Sequence, residues 1–209
     1  MTFAHAERIE LCDLFLATGP DAPTLCEGWL THDLAAHLWI RETDPLAATG
    51  IMAKPLASFT DRRMAEAKAR WPYPELVERL RQGPNRFSLF AIPGIDEAAN
   101  ATEYFVHHED VRRAGDPPAA PRELGADTQD LIWRRLKLMS RVMFRDPAAG
   151  IVLERADADH ETVRAAAGDR TVTIIGLPAE LLLYASGRRQ AAVVDLVGDP
   201  DVLDSDDWR

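Results

Sequence analysis

Glu103 and His107 stand four residues apart in the segment Asn100-Ala-Thr-Glu103-Tyr-Phe-Val-His107-His108-Glu109-Asp110. On a helix that spacing puts a carboxylate and an imidazole one turn apart on one face, with Cβ atoms about 6 Å apart. Such a pair can grip one divalent cation from a single rigid rod, and a cation would offset the converging negative charge of the segment. Asp110 lies one further turn along the same face. Two ligands do not complete a site, so a third has to come from another helix. His37, in Leu34-Ala35-Ala36-His37-Leu38-Trp39, is the candidate, because it sits among apolar neighbours on a face expected to turn inward. A ligating histidine ordinarily holds its second ring nitrogen on a carboxylate. Asp33, one turn before His37, and Asp110 both qualify for that role. A His-His-Glu set leaves a fourth position open, as a catalytic zinc site does. Nickel, iron or manganese also suit these donors.

Each of these residues has a plainer reading. Glu103 and His107 could form a surface ion pair, and His37 could be a satisfied core histidine. His108 lies about 100° round the helix from His107 and so outside the same site. Glu109 reads as a solvated charge. His5, His32 and His160 lack a convergent partner. Cys26, before Glu27-Gly28-Trp29, reads as a buried turn residue or a thiol near a pocket. Arg41, Arg112 and Arg113 are surface charges, or guanidiniums that could hold a substrate carboxylate through two parallel hydrogen bonds.

The elements that must position these groups are mostly helices. Residues 4–17 place Ile9, Cys12, Phe15 and Leu16 on one stripe, ended by Gly19-Pro20. Thr31 is a candidate N-cap for a second helix, with Leu34, His37, Leu38 and Arg41 along one face. Pro74 suits the first turn of a helix carrying Leu76, Val77 and Leu80, which stops near Gly83. Asp96 is expected to cap a helix from Glu97 to Ala114. Asp127 or Thr128 opens another through Phe144, with Leu131, Leu138 and Val142 buried and Trp133 on or beside that stripe. After Pro147 the texture changes to short β-branched runs at 150–154, 171–175 and 192–197, with a helix beginning at Pro178 between the last two. The expected fold is α+β: an antiparallel bundle of four or five helices over residues 1–147, then a small α/β domain over 148–209.

The chain has 209 residues, 46% hydrophobic and 28% charged, which is a globular composition. It carries 34 acidic against 24 basic side chains, a formal charge of -10, so a nucleic-acid surface is not expected. No apolar run reaches the ~18 residues of a membrane span, and the charged N-terminus lacks a secretory h-region. A cytoplasmic protein, monomeric or homodimeric, is the expectation. The two cysteines, Cys12 and Cys26, read as reduced, packed thiols. Among the basic residues 21 are Arg and 3 are Lys, the bias of a GC-rich genome. The Asp-rich stretch from Asp199 to Asp207 reads as a solvated end.

Three blocks together resemble the actinobacterial mycothiol-dependent maleylpyruvate isomerase family. They are Cys26-Glu27-Gly28-Trp29 with Asp33-Leu34-x-Ala36-His37-Leu38, Glu103-x-x-x-His107-x-x-Asp110-Val-Arg-Arg-Ala, and Gly176-Leu-Pro178-Ala-Glu180-Leu-Leu-Leu-Tyr184-x-x-Gly187-Arg188. The resemblance spans nearly the whole chain. It implies a DinB-like four-helix metal-binding bundle followed by a small α/β domain. It also implies a zinc ion held by His37, Glu103 and His107, the three residues that helical geometry selects. Asp110 or Asp33 would then orient a ligand histidine, and Arg112, Arg113 or Arg41 would meet a substrate carboxylate. The cosubstrate implied is mycothiol, a low-molecular-weight thiol, activated for attack on a small electrophile in an isomerase or S-transferase reaction. Two other functions fit the same metal set: hydrolysis by a metal-activated water, with Glu109 or Asp110 as base, and a non-catalytic small-molecule-binding or stress-response protein.

Overall fold

The computed structural model describes residues 1–44, 57–84, 94–145, 149–198 and 202. These form two compact units, Met1–Ala119 and Ala120–Arg209. The first is helical and the second carries a four-stranded sheet, so the chain is α+β. No helix among the described residues is long and apolar enough to cross a membrane. The expected acidic end, from Asp199, lies outside the described residues except for Val202.

Among the described residues the first unit has five helices: α1 (Phe3–Thr18), α2 (Thr31–Thr43), α3 (Ala57–Arg70), α4 (Tyr73–Gln82) and α5 (Ile95–Arg112). Helix α1 packs against α5 and α4, and α2 packs against α3 and α4. Leu11, Cys12, Phe15, Leu34, Leu38, Leu76, Leu80 and Tyr104 make the centre of the core. The buried face of α1 is rotated from the expected stripe. Leu16 is 45% exposed, whereas Glu7 and Arg8 are buried because they find polar partners on α5. Helix α3 was not anticipated. Its sequence is dominated by Arg, Ala and Asp/Glu, and it buries only Thr60, Met64 and Ala67 among its described side chains.

Two expected caps are replaced. Helix α2 begins at Thr31 itself, after Leu30, whose N–H donates to Asp33 Oδ2 at 3.0 Å. Helix α5 follows Gly94, whose left-handed backbone (φ 85°) favours glycine. Asp96 is free of capping duty because a buried network takes it. Arg8 lies 2.5 Å from Glu42 Oε1 and 3.0 Å from Asp96, and donates to the Tyr104 hydroxyl at 3.0 Å. Asn100 and Tyr104 both donate to Glu42 Oε1, each at 2.8 Å. These polar groups sit where α1, α2 and α5 meet, and all but Asp96 are almost wholly out of water. Burial raises the pKa of Glu42, opposed by Arg8 and Tyr104.

The second unit contains α6 (Ala126–Met143), β1 (Gly150–Arg155), β2 (Thr162–Ala166), β3 (Thr171–Gly176), α7 (Pro178–Ala185) and β4 (Asp195–Gly198). The sheet order is β2-β1-β3-β4, with β1 and β3 parallel and the outer pairs antiparallel. Strand β2 was not anticipated, since Thr-Val-Arg-Ala-Ala has a weak β-branched signal. Strand β4 is shorter than the expected 192–197 run. The composition break placed α6 with the helices before it, but α6 packs on α7 and β2. Trp133 Nε1 donates to Glu161 at 2.7 Å, and Gln129 Oε1 accepts the Ala179 N–H at the start of α7. Its buried face is Gln129, Ile132, Trp133, Leu136 and Ser140. Leu138 and Val142, expected in the core, are 78% and 65% exposed. Gly168 crosses β1 so closely that a Cβ there would lie 2.3 Å from Gly150 N.

Candidate metal centre

Helix α5 contributes most of the site because its Glu103, His107 and Asp110 recur at helical spacing toward α2 and the loop before it. That loop closes tightly on itself. Pro23 bridges Leu30, Thr24 donates to Trp29 O at 2.8 Å, and Gly28 takes φ 75°. It is anchored to α5 by the Leu25 N–H, which donates to the Asp110 carbonyl at 3.1 Å. Helix α2 then leaves the loop and carries His37 and Arg41 toward α5.

His37, Glu103 and His107 converge as their spacing suggested. Glu103 Oε1 lies 3.5 Å from His37 Nε2 and 3.3 Å from His107 Nε2. All three ligand atoms lie within 4.8 Å of one another. These separations exceed a good N–H···O bond. They match instead the edge of a tetrahedron whose centre binds each donor at about 2.0–2.1 Å, an edge of roughly 3.3–3.4 Å. The two rings meet edge to face with centroids 5.3 Å apart, and Trp29 lies against His37 at 5.0 Å.

His107 is oriented from behind. Its Nδ1 is 2.8 Å from Asp110 Oδ2, which leaves Nε2 to face Glu103. Asp110 is wholly buried. The same Oδ2 accepts from the Cys26 thiol at 3.1 Å, and Cys26 Sγ is 3.8 Å from His107 Nδ1. Burial pulls the His107 pKa down, but the hydrogen bond to Asp110 and the nearby Cys26 and Glu103 overcome it and lift the imidazolium pKa well above its ordinary range. For His37 burial prevails over Glu103 and keeps the ring neutral. Burial would raise Glu103, yet the two histidines and then Arg41 hold its carboxyl well below the usual range. Arg41 Nε is 3.3 Å from Glu103 Oε1, and its other nitrogens reach Ala99 O, at 3.0 Å, and Asn100 Oδ1.

The remaining candidates fall elsewhere. Asp33 does not reach His37, whose buried Nδ1 has no hydrogen-bond partner among the described residues. Its carboxylate instead takes the Leu30 N–H and Lys68, the latter at 2.5 Å, because it belongs to the first turn of α2. Asp33 and Lys68 line a cavity of about 280 Å³ with Gly28, Trp29, Asp61 and Met64. Arg112 is paired with Glu109 at 2.8 Å, and Arg113 with the same carboxylate at 2.5 Å. Glu109 is thus no solvated charge; it is fully buried between them. His108 points to α1, with Nδ1 3.0 Å from Glu7, and together with Glu10 makes a separate group that could hold an ion. The thiols are unbridged, and burial pushes Cys12 up to about 12. Cys26 and Arg41 are the site residues that spacing underrated. The signal for Cys26 was its place just before a Gly turn leading into the His37 helix.

Two solved structures share this architecture. A crystal structure of the mycothiol-dependent maleylpyruvate isomerase matches with a TM-score of 0.57 and 18% identity, covering 93% of this chain and 90% of that one. A crystal structure of a histidine-to-alanine mutant of that isomerase matches with a TM-score of 0.50 and 15% identity, over 92% and 90% of the two chains. The likeness is one of fold. No family profile matches the chain, and no curated protein matches it in sequence.

Proposed function

We infer that this protein is a metal-dependent enzyme, zinc being the first choice, that uses a low-molecular-weight thiol such as mycothiol to isomerise, or add sulfur to, a small electrophile. The observation that carries the reading is Glu103 Oε1 at 3.3 and 3.5 Å from two imidazole Nε2 atoms, the spacing of donors around a common centre. The shared fold with chains described as mycothiol-dependent maleylpyruvate isomerase supplies the thiol and the reaction class. On this reading α1, α2, α4 and α5 are the four helices of a DinB-like bundle, and the unit from Ala120 onward, α6 included, is the α/β domain.

His37, Glu103 and His107 would hold the metal, whose positive charge lowers a bound thiol's pKa from ~8.5 so that thiolate predominates near neutrality. The protein's own groups prepare that site. Asp110 fixes the tautomer and direction of His107 and strengthens it as a donor. Arg41 holds Glu103 in place and partly neutralises it. Trp29 packs on the His37 ring and excludes water from that side. All three guanidiniums considered are engaged, Arg112 and Arg113 by Glu109 and Arg41 by Glu103, Asn100 and Ala99, so none of them is assigned to a substrate carboxylate.

The test is metal analysis followed by turnover. Protein loaded with zinc should isomerise maleylpyruvate, or transfer sulfur to monobromobimane, only when mycothiol is added. Zinc-replete protein with no thiol-dependent turnover on either electrophile overturns the enzymatic reading. Turnover without any thiol favours hydrolysis instead.

A further inference from the structure

The second unit carries a group of arginines that the metal centre does not use. Arg141 and Arg145 on and just beyond α6, with Arg164 on β2, line a cavity of about 610 Å³. That volume lies within the range of small-molecule sites. Phe144 and Ala165 to Ala167 supply the rest of the lining, an apolar floor. None of the three guanidiniums makes an ion pair or side-chain hydrogen bond among the described residues. Elsewhere in this unit the arrangement differs: Arg155 is held by Asp130 and Asp157, both at 2.8 Å. In a chain with ten more acidic than basic groups, three arginines lining one cavity with no acidic partner among the described residues set this face apart.

Leu138, Arg141, Val142 and Arg145 recur at i, i+3, i+4 and i+7 along the exposed side of α6. Arg164 is an exposed position of β2, the edge strand of the sheet. Guanidiniums present forked N–H donors that match the paired oxygens of carboxylates and phosphates. The apolar floor suits the carbon body of such a ligand.

We propose that this cavity is a binding site for a small organic anion bearing at least two negative charges, a dicarboxylate or a phosphate ester, built from residues other than those of the metal centre. The site does not depend on the thiol reading.

The experiment is calorimetric titration of the zinc-loaded full chain with succinate and with inorganic phosphate, against sodium chloride at matched ionic strength. Lipid is tested separately, by sedimentation with phosphatidylcholine vesicles with and without phosphatidylglycerol. Succinate or phosphate should bind the wild type. The triple variant Arg141→Gln, Arg145→Gln, Arg164→Gln should lose at least about tenfold in affinity, since hydrogen bonds to charged groups are the strong ones. Arg134→Gln, an exposed change elsewhere on α6, should leave binding intact. His37→Ala should also keep it, because the metal centre takes no part. The proposal is overturned by no binding beyond the chloride control, by undiminished binding in the triple variant, or by loss in His37→Ala, which would put the anion at the metal. Binding confined to phosphatidylglycerol vesicles overturns it as well, in favour of a lipid surface.

Discussion

Cys26 and Asp110 are joined by a short contact, the thiol donating to Asp110 Oδ2 at 3.1 Å, and the same oxygen lies 2.8 Å from His107 Nδ1. A loop residue and a helix residue 84 positions apart therefore meet behind His107, a candidate metal ligand. Asp110 has no exposed surface, so the His107 imidazolium offsets its charge inside the protein and the thiol adds a hydrogen bond. The expected consequence is graded. Asp110→Asn should weaken zinc affinity by about 10–100-fold, the usual cost of losing such an outer partner. Cys26→Ser, which retains a donor, should cost much less. Competition with a chromophoric chelator measures both, and unchanged affinity in Asp110→Asn would mean that His107 is oriented by something else.

His37→Ala, Glu103→Ala and His107→Ala should each abolish stoichiometric zinc, because two ligands hold the ion far more weakly than three. The helical circular dichroism should survive, since the core of the first unit is built from other residues. Elemental analysis of the three purified variants is sufficient; full occupancy in any of them removes that residue from the set.

Metal affinity should rise with pH. The His107 imidazolium is stabilised well above its ordinary range in the metal-free site, so binding has to displace its proton. His37 is already neutral and Glu103 already ionised at pH 7, so neither adds a proton to the exchange. Affinity therefore climbs as pH rises toward the raised His107 pKa and flattens above it. Calorimetry at pH 7 in buffers of different ionisation enthalpy should report release of about one proton per zinc. Release of none would place the proton elsewhere.

The buried network around Glu42 makes a stability prediction. Arg8→Met leaves Glu42 facing Tyr104 and Asn100 without its guanidinium, and should cost about 3–5 kcal/mol in urea unfolding. Combining it with Glu42→Leu should restore part of that loss, because the uncompensated charge is gone. Additive costs in the double variant would show that the pair is not energetically coupled.

On α6 the two apolar faces should respond oppositely. Ile132→Ala and Leu136→Ala remove wholly buried side chains and should cost about 2–5 kcal/mol each. Leu138→Ser and Val142→Ser, at exposed positions, should stay within about 0.5 kcal/mol. Equal costs on both faces would mean that the exposed stripe is covered in solution.

How far each feature could be read ahead depended on whether its cause was local. The Glu103–His107 rung follows from the 3.6-residue period of one helix, and the helix at Pro178 and the strands at 150 and 171 follow from their own punctuation. Helix α3 escaped notice because its polar sequence has almost no apolar period, and the buried side of α6 was misjudged because two apolar stripes run along it. Which stripe is covered is decided by α7 and β2, elements far along the chain. The same holds at the site. Residue type and spacing nominated His37, Glu103, His107 and Asp110, since ligand chemistry is written in side chains. Only the tertiary structure assigned Asp110 rather than Asp33 to His107, brought Cys26 behind it, turned Arg41 onto Glu103 and buried Glu109 between two arginines. Those pairings are set by how helices and a loop cross in space, and no period within a single segment encodes the neighbour it will meet.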